Sequence, residues 1–418
     1  MFEKRQVIVV GAGPGGSTTA FYLAKYGVDV LLVDKETWPR DKPCGDAQGN
    51  SIFPIYKDMG IYEEAERLAS GRIRGSKFSG VNEEITTFDS GISGGFVTQR
   101  RVIDDLIRRG AINGGADWLE NFEVTEVIRE RNYAKGVRGF YGGKTIEIRA
   151  DAVVLADGGH SILGRPFGLF LEDPDLIFIG ARGYFDNVKG LVQDFVEEHY
   201  PAEIFYPGGY MWLFPMGGEK ANVGVYISEK NLQRGNRRLE DYFTWWRDNT
   251  KIGKERLGEA RLLGEIKGWR LPTCREVGDN FNNAILAVGD AGNHINCYSG
   301  GGLDYAMKSG VAAAETLVEA LKSNDLSKEA LSVYKDKRSV TMDALYRLNS
   351  AVRDKLCCDP ETYERFLAFS RQMPNYPNNN QYAAYIGFLT QVQKVDLMGE
   401  YKLDLRAMVG ADSSGGSH

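Results

Sequence analysis

The sequence predicts a mixed α/β (α+β) fold, in which a doubly wound parallel-sheet domain is interleaved with an antiparallel sheet and followed by a helical C-terminal region. Three observations predict it. An apolar β-type run, Val7 to Val10, is followed at once by Gly11-Ala-Gly13-Pro-Gly15-Gly16 and a helix-forming stretch. Far downstream a second apolar run, Ala284 to Val288, ends in Gly289-Asp290-Ala291-Gly292. Between Gly168 and Thr273 the pattern changes to aromatic, strand-like segments.

A G-x-G-x-x-G element carries meaning only after a strand and before a helix, the context found here at Gly11, Gly13 and Gly16. Each glycine has a physical job: a tight turn at Gly11, close backbone approach to a pyrophosphate at Gly13, and helix–strand packing at Gly16, with Gly15 in the same turn. The anion would sit at the N-terminus of the helix expected over 16–26, where free N–H groups and the helix dipole favour negative charge. A second strand, Val28 to Val33, ends at Asp34, the expected ribose ligand, with Lys35 beside it in the same cofactor site. This Rossmann-type entry and the late Gly-Asp-Ala-Gly turn together point to one FAD.

Further along, a Gly/Pro/Asp-rich loop is expected over 38–50 and a helix over 100–111, with Leu106 and Ile107 on one side. Val124 to Arg129 and Val137 to Tyr141 alternate like strands, and Ala152 to Leu155 reads as a buried strand running into Ala156-Asp157-Gly158, a turn assigned to the cofactor site. Gly180 to Phe185, Met211 to Phe214 and Asn222 to Ile227 suggest a separate sheet covering a ligand. The chain is mostly helical from Gly310 onward. The resulting division is a discontinuous FAD-binding domain (1–75, 96–165 and 275–325), a substrate-binding β-sheet domain (76–95 and 166–274), a helical region (326–412) and a flexible tail (413–418) of linker composition.

The chain has 418 residues, enough for two or three interleaved domains, and its formal net charge of −6 argues against a nucleic-acid partner. Five cysteines without zinc or iron–sulfur spacing and four scattered histidines predict no metal. No apolar run approaches the roughly 18 residues needed to span a bilayer, so a cytoplasmic protein is expected, at most peripheral to a membrane.

Three further motifs narrow the chemistry. They are Asp41-Lys42-Pro43-Cys44-Gly45-Asp46, Pro207-Gly208-Gly209-Tyr210-Met211-Trp212-Leu213-Phe214-Pro215, and Gly300-Gly301-Gly302 followed by Ala306-Met307-Lys308-Ser309-Gly310. With the interleaving, they resemble the geranylgeranyl reductase family, FAD-dependent prenyl reductases of the superfamily that also holds aromatic hydroxylases and halogenases. The resemblance covers about residues 5 to 320. It implies that Arg100 contacts the flavin nucleotide and that Asp290 lies near the ribityl and pyrophosphate. It also implies that Gly300, Gly301 and Gly302 lie under the isoalloxazine ring, where backbone without side chains permits close approach. The helix after them would aim its dipole at the anionic reduced flavin.

Alternation puts Tyr210, Trp212 and Phe214, followed by Pro215, on one strand face, suited to lining an apolar tunnel for an isoprenoid chain. The resemblance places Cys44 and Gly45 near flavin and substrate. Cys44, as proton donor, covalent site or packing residue, Asp46, as a positioning residue, and Gly301 are the candidates nearest the chemistry. Lys42 reads as a solvated charge and His294 as a hydrogen-bonded loop histidine. This chain departs from the family in having Asn296-Cys297 where Asn-Pro is common, and the match after Leu321 is weakest.

The implied activity is hydrogenation of C=C bonds in a geranylgeranyl-type lipid, diphosphate or quinone side chain. Hydride would come from reduced flavin and a proton from elsewhere. Without a second G-x-G-x-x-G context, electrons would arrive from transient NAD(P)H, a ferredoxin or another carrier. Two alternatives stand beside this reading. One is a flavin-dependent halogenase or aromatic monooxygenase, loosely suggested by Trp212 to Pro215 and by Lys77. The other is an electron-transfer flavoprotein serving quinone.

Overall fold

The structure, a computed structural model, describes residues 4–91, 94–169, 172–373 and 381–403. The tail expected over 413–418 lies outside the described residues. Five segments form the central parallel strands, and where they are buried on both faces, at 7–10, 30–33, 152–155 and 285–287, they read as aliphatic runs without alternation. Their order is Asp117–Leu119, Val30–Val33, Arg5–Val10, Lys144–Leu155 and Ile285–Ala287, all paired in parallel. Phe281–Asn282 closes one edge antiparallel, and the hairpin Glu123–Glu130 and Tyr133–Tyr141 extends from the first half of Lys144–Leu155.

Register decides where the loops go. Val10 lies beside Val33 on one side and Leu155 on the other, and Leu155 lies beside Ala287. The carboxyl ends of four strands are therefore level, and Gly11, Asp34, Ala156 and Gly289 leave the sheet at one edge. Open α/β sheets bind their ligands at this edge. Helix Pro14–Lys25 packs on the sheet and on the long helix Leu303–Lys322, with Arg100–Asn113 against its other side.

A second sheet runs in the order Arg261–Pro272, Ile177–Asp186, Ala221–Ser228, Tyr210–Pro215, Phe195–His199, Gly75–Ser79 and Thr86–Asp89. Its pairs are antiparallel except Phe195–His199 with Gly75–Ser79, which run parallel. The two faces of Tyr210–Pro215 belong to different cores. Met211 and Leu213 join an aliphatic core capped by helix Leu239–Asn249, while Tyr210, Trp212 and Phe214 join an aromatic core. Helices Val333–Lys355, Pro360–Gln372 and Gln381–Gly387 roof that aromatic core through Leu348, Val352, Tyr363, Phe366 and Tyr385. A small sheet of Ala47–Gly49, Gly95–Val97 and Gly71–Ile73 stands between the two.

Most expected elements recur with shifted ends: the helix over 100–111 spans Arg100–Asn113, and the strand at 152–155 is the end of the longer Lys144–Leu155. The loop over 38–50 contains the short strand Ala47–Gly49. The final helical region begins earlier than Gly310, at Leu303, directly after the three glycines.

Candidate active site

At the level edge of the parallel sheet, the glycine-rich turn is shaped by contact as well as by ligand. A Cβ on Gly16 would lie 1.9 Å from the Gly11 carbonyl oxygen, and one on Gly11, whose φ is +102°, would lie 2.2 Å from the Ala156 carbonyl. Gly13 is different: a Cβ there would meet only Arg40 Nη2, at 3.5 Å. Gly13 also caps helix Pro14–Lys25 with no side chain, so the first N–H groups of that helix are left for an outside acceptor. Opposite, Asp157 Oδ1 is buried without a hydrogen-bond partner, and burial raises the Asp157 carboxyl to about 6. Uncapped N–H groups, an open glycine, a nearby guanidinium and an orphaned acceptor on a neighbouring strand end fit the pyrophosphate and ribose of a dinucleotide.

Asp34 closes the turn from below. Its Oδ2 accepts the Ala12 N–H at 2.7 Å and its Oδ1 accepts the Glu36 N–H at 2.9 Å, so the residue expected to bind ribose also clamps the glycine loop. Lys35 is exposed beside it, its charge acting on Asp157. Gly158, in the same turn as Asp157, has a φ of +87° with open space where its side chain would be.

The loop carrying Cys44 is fastened to both sheets. Asp41 receives Arg182 at 2.7 Å and Lys267 at 3.1 Å from the second sheet. Lys42 reaches the other way, to Asp290 at 2.9 Å. Lys42 is therefore not the solvated charge its sequence suggested: burial would raise the Asp290 carboxyl, and the Lys42 ammonium holds it below the usual range. The Gly289 N–H donates to Ser309 Oγ at 3.1 Å, fixing the turn that presents Asp290. His294 Nδ1 donates to the Gly289 carbonyl, and burial keeps its imidazole neutral, as a structural loop histidine.

Asp46 is fully buried at a φ of +69°. Its carboxylate accepts the Arg100 N–H at 3.2 Å, the Tyr184 hydroxyl at 2.8 Å and Asn222 Nδ2 at 2.9 Å. Burial raises this carboxyl to about 6 despite those donors. Asn222 also donates to the Cys44 carbonyl at 2.7 Å and accepts from Trp212 Nε1 at 2.9 Å. A Cβ on Gly45 would lie 2.6 Å from the Phe214 ring, so the Cys44–Asp46 turn rests directly on the aromatic face. Arg100 is buried in a two-point ion pair with Asp104, at 2.6 and 2.8 Å, and Arg40 reaches the same carboxylate at 3.0 Å. Burial would lower the Arg100 pKa, but Asp104 and the neighbouring Cys44 sulfur raise it.

The glycine turn meets the aromatic wall where the Tyr210 hydroxyl donates to the Ser299 carbonyl at 2.6 Å. Gly300, at a φ of +66°, backs onto the Tyr226 ring, Gly301 is exposed, and Gly302 stands at the N-terminus of Leu303–Lys322 beside Asp290. Tyr210, Trp212 and Phe214 follow at ring separations of 6.2 Å, and Pro215 ends the strand, buried.

The structure thus brings the predicted residues into one continuous region running from Gly13 to Phe214. Arg40, Asp104, Tyr184 and Asn222 also belong to that region and escaped sequence reasoning. Arg40 sits in the charged run Arg40-Asp41-Lys42, a usable signal. Asn222 gives none, since it reads as an ordinary strand start. Among the described residues no group of three or more His, Cys, Asp or Glu could hold a metal ion.

The model of the FAD-binding domain family matches residues 4–348. The digeranylgeranylglycerophospholipid reductase of Methanosarcina mazei is 31% identical over 330 residues, covering 78% of each chain. Digeranylgeranylglycerophospholipid reductase 2 of Methanococcoides burtonii is 28% identical over 381 residues, 90% of each chain. Among solved structures, a geranylgeranyl bacteriochlorophyll reductase-like protein from Thermoplasma acidophilum is similar with a TM-score of 0.85 at 23% identity, covering 96% of this chain and 99% of that one. A flavin-dependent brominase is similar at a TM-score of 0.78 and 19% identity, covering 98% of this chain and all of that one, a likeness of fold alone. With the glycine cradle, the Asp290 turn and the aromatic strand in one region, these similarities make the chain a member of the FAD-binding geranylgeranyl reductase family, an FAD-dependent oxidoreductase.

Proposed function

We propose that the enzyme hydrogenates C=C bonds of a geranylgeranyl-type chain carried by a lipid, a diphosphate or a quinone. The observation that carries this reading is the face formed by Tyr210, Trp212 and Phe214, joined to the Ser299–Gly302 turn by the Tyr210 hydroxyl. An unsaturated hydrocarbon chain has no polar handle, so it is held by apolar and aromatic area. Reductases of the Methanosarcina mazei and Methanococcoides burtonii kind, named for a digeranylgeranyl phospholipid, support the same substrate class. When bound, reduced FAD supplies the hydride.

On this reading the chain's own residues bind, orient and exclude water. Gly11, Gly13, Gly15, Gly16, Asp34, Lys35, Asp157 and Gly158 hold the nucleotide end, with Arg40 as a further cation. Arg100 and Asp290, with Gly300, Gly301 and Gly302, frame the ring end. Gly45 lets the loop close on Phe214, and Cys44 stands at the junction of ring and wall. Asp46, with three hydrogen bonds to its carboxylate, positions that loop. The seven-stranded sheet is the substrate domain, and the C-terminal helices roof it. Electrons come from a transient carrier, NAD(P)H or a ferredoxin. Because a geranylgeranyl lipid resides in a bilayer, the enzyme works at a membrane face; no helix among the described residues is long and apolar enough to cross one.

The test is anaerobic incubation of the dithionite-reduced holoenzyme with geranylgeranyl diphosphate and with a geranylgeranyl lipid, followed by mass spectrometry. A gain of about 2 Da per reduced bond, with the flavin reoxidised in the absence of oxygen, is expected. No gain with either substrate, and halogenation or hydroxylation of an aromatic substrate in air, would replace the reading with oxygen-dependent chemistry.

A further inference from the structure

Alkene reduction needs a proton as well as a hydride. Strand Phe195–His199 lies next to the aromatic strand, and Glu198 is the register partner of Trp212. Directly opposite residues of an antiparallel pair share a face. Glu198 therefore stands on the aromatic side, between Val196 and Tyr200, whereas Glu197 and His199 point to the other face. The two glutamates are treated differently. Glu197 is paired with Arg256 at 3.1 Å and with His199 at 3.1 Å. Glu198 has no cationic partner among the described residues; its one hydrogen bond is from the Tyr200 hydroxyl, at 3.0 Å.

The groups facing Glu198 are all phenols: Tyr200 on its own strand, Tyr210 on the next, Tyr298 in the turn before the three glycines, Tyr363 from helix Pro360–Gln372, and Tyr382 and Tyr385 from helix Gln381–Gly387. Three of them form a chain. Tyr200 and Tyr298 are 3.1 Å apart at their hydroxyls, and Tyr298 and Tyr385 are 2.9 Å apart. Glu198 itself is not sealed off, since it retains accessible surface, and half-buried Val196, Ile73 and Met216 pack against the same aromatic core. A carboxyl group enclosed by aromatic rings with no cation is costly to keep charged, and structural ion pairing does not account for it.

We propose that Glu198 is the acid that protonates the alkene, its carboxylate then held by the Tyr200 hydroxyl. The proposal rests on the prenyl-reductase reading. The carboxylic O–H bond breaks and its proton forms a C–H bond at one alkene carbon, using the π pair. The hydride forms the C–H bond at the other carbon with its own pair, and Glu198 is left as a carboxylate. A proton then returns from water to the accessible side of Glu198. Burial raises the Glu198 carboxyl to about 7, which keeps a donor available near neutral pH and suits a general acid. Asp46 is less suited to this step, because it is fully buried and already accepts three hydrogen bonds.

The test compares wild type, Glu198→Gln, Glu198→Asp and Tyr200→Phe in anaerobic single and multiple turnovers with a geranylgeranyl lipid. The infrared carboxylic-acid C=O band is followed against pH in each protein, with thermal unfolding and flavin absorbance as checks on folding. The expected result is a loss of about a hundredfold or more in Glu198→Gln and partial recovery in Glu198→Asp. The wild-type rate falls as pH rises through about 7, together with an infrared band that Glu198→Gln lacks. Tyr200→Phe removes a hydrogen bond that favours the carboxylate, so its rate falls at a higher pH than that of wild type. Reduction by Glu198→Gln within about threefold of wild type, with the same pH limb, would overturn the role of Glu198 while leaving the prenyl-reductase reading intact. A wild-type enzyme that leaves the lipid unreduced would overturn both.

Discussion

Asn222→Ala removes the residue that ties the cysteine loop to the aromatic strand. In the native structure the carboxamide accepts from Trp212 Nε1 at 2.9 Å and donates to the Cys44 carbonyl at 2.7 Å and to Asp46 Oδ2 at 2.9 Å. Trp212 and Asp46 are buried and Cys44 is half-buried, so the truncation takes hydrogen bonds away from groups largely removed from water. Two neutral bonds at about 1 kcal/mol each and one to a carboxylate at about 2 kcal/mol suggest a loss near 4 kcal/mol. That is a large part of the roughly 5–15 kcal/mol by which domains are stable. The loss should depend on pH. The Asn222 N–H favours the ionised form of Asp46, so its removal pushes that carboxyl further above about 6. Below that value Asp46 is protonated in both proteins and the difference shrinks; above it the variant alone must neutralise or bear an under-solvated carboxylate. Urea unfolding at pH 5 and pH 8, followed by tryptophan fluorescence, measures this. A destabilisation under about 1 kcal/mol, or one that is equal at both pH values, would refute the reasoning.

Three further outcomes are expected. Gly16→Ala drives a Cβ into the Gly11 carbonyl and should lower the unfolding temperature of the apoprotein, whereas Gly13→Ala, with only Arg40 nearby, should leave that temperature unchanged and weaken FAD binding in a titration. Lys42→Ala leaves Asp290 without its cation and should cost about 2 kcal/mol, less than a fully buried pair because Lys42 is partly exposed. The sign follows from Asp290: its depressed pKa contributes stability above the ordinary carboxylate range that is lost as pH falls through the folded value. The variant should therefore release FAD at a higher pH than wild type on acid titration. Cys44→Ala and Cys44→Ser separate chemistry from packing: a rate of alkene reduction unchanged in both would remove the thiol from the reaction.

Legibility differed between the two ends of the site. The nucleotide end follows from local rules, since a strand, a glycine turn and a helix are contiguous in sequence and each glycine answers a contact a few residues away. Even there Asp34 gained a second task, because whether an acid reaches a ribose or a backbone N–H depends on how the Ala12 turn folds over it. The substrate end was legible as a pattern, Tyr210, Trp212 and Phe214 on one face, but not as a network. Asn222 and Tyr184 gave no signal because their partners in the 44–46 loop are far away in sequence, and Glu198 gave none because most of the phenols around it come from other elements. Lys42 was misread because its partner, Asp290, is 248 residues away.

By itself the sequence determined the elements and the cofactor class: short β-branched runs without alternation that end in glycine turns read as buried strands, and a glycine turn between strand and helix presents N–H groups to an anion. Tertiary structure alone decided the pairings: which carboxylates acquire a cation, as Asp290 and Glu197 do, and which, like Asp46 and Glu198, are left to burial and hydroxyl donors. The reason is range. Backbone conformation is set by neighbours in the chain, whereas the protonation of a buried acid is set by dielectric and charge within a few ångströms in space, and strand register and helix packing bring those groups together.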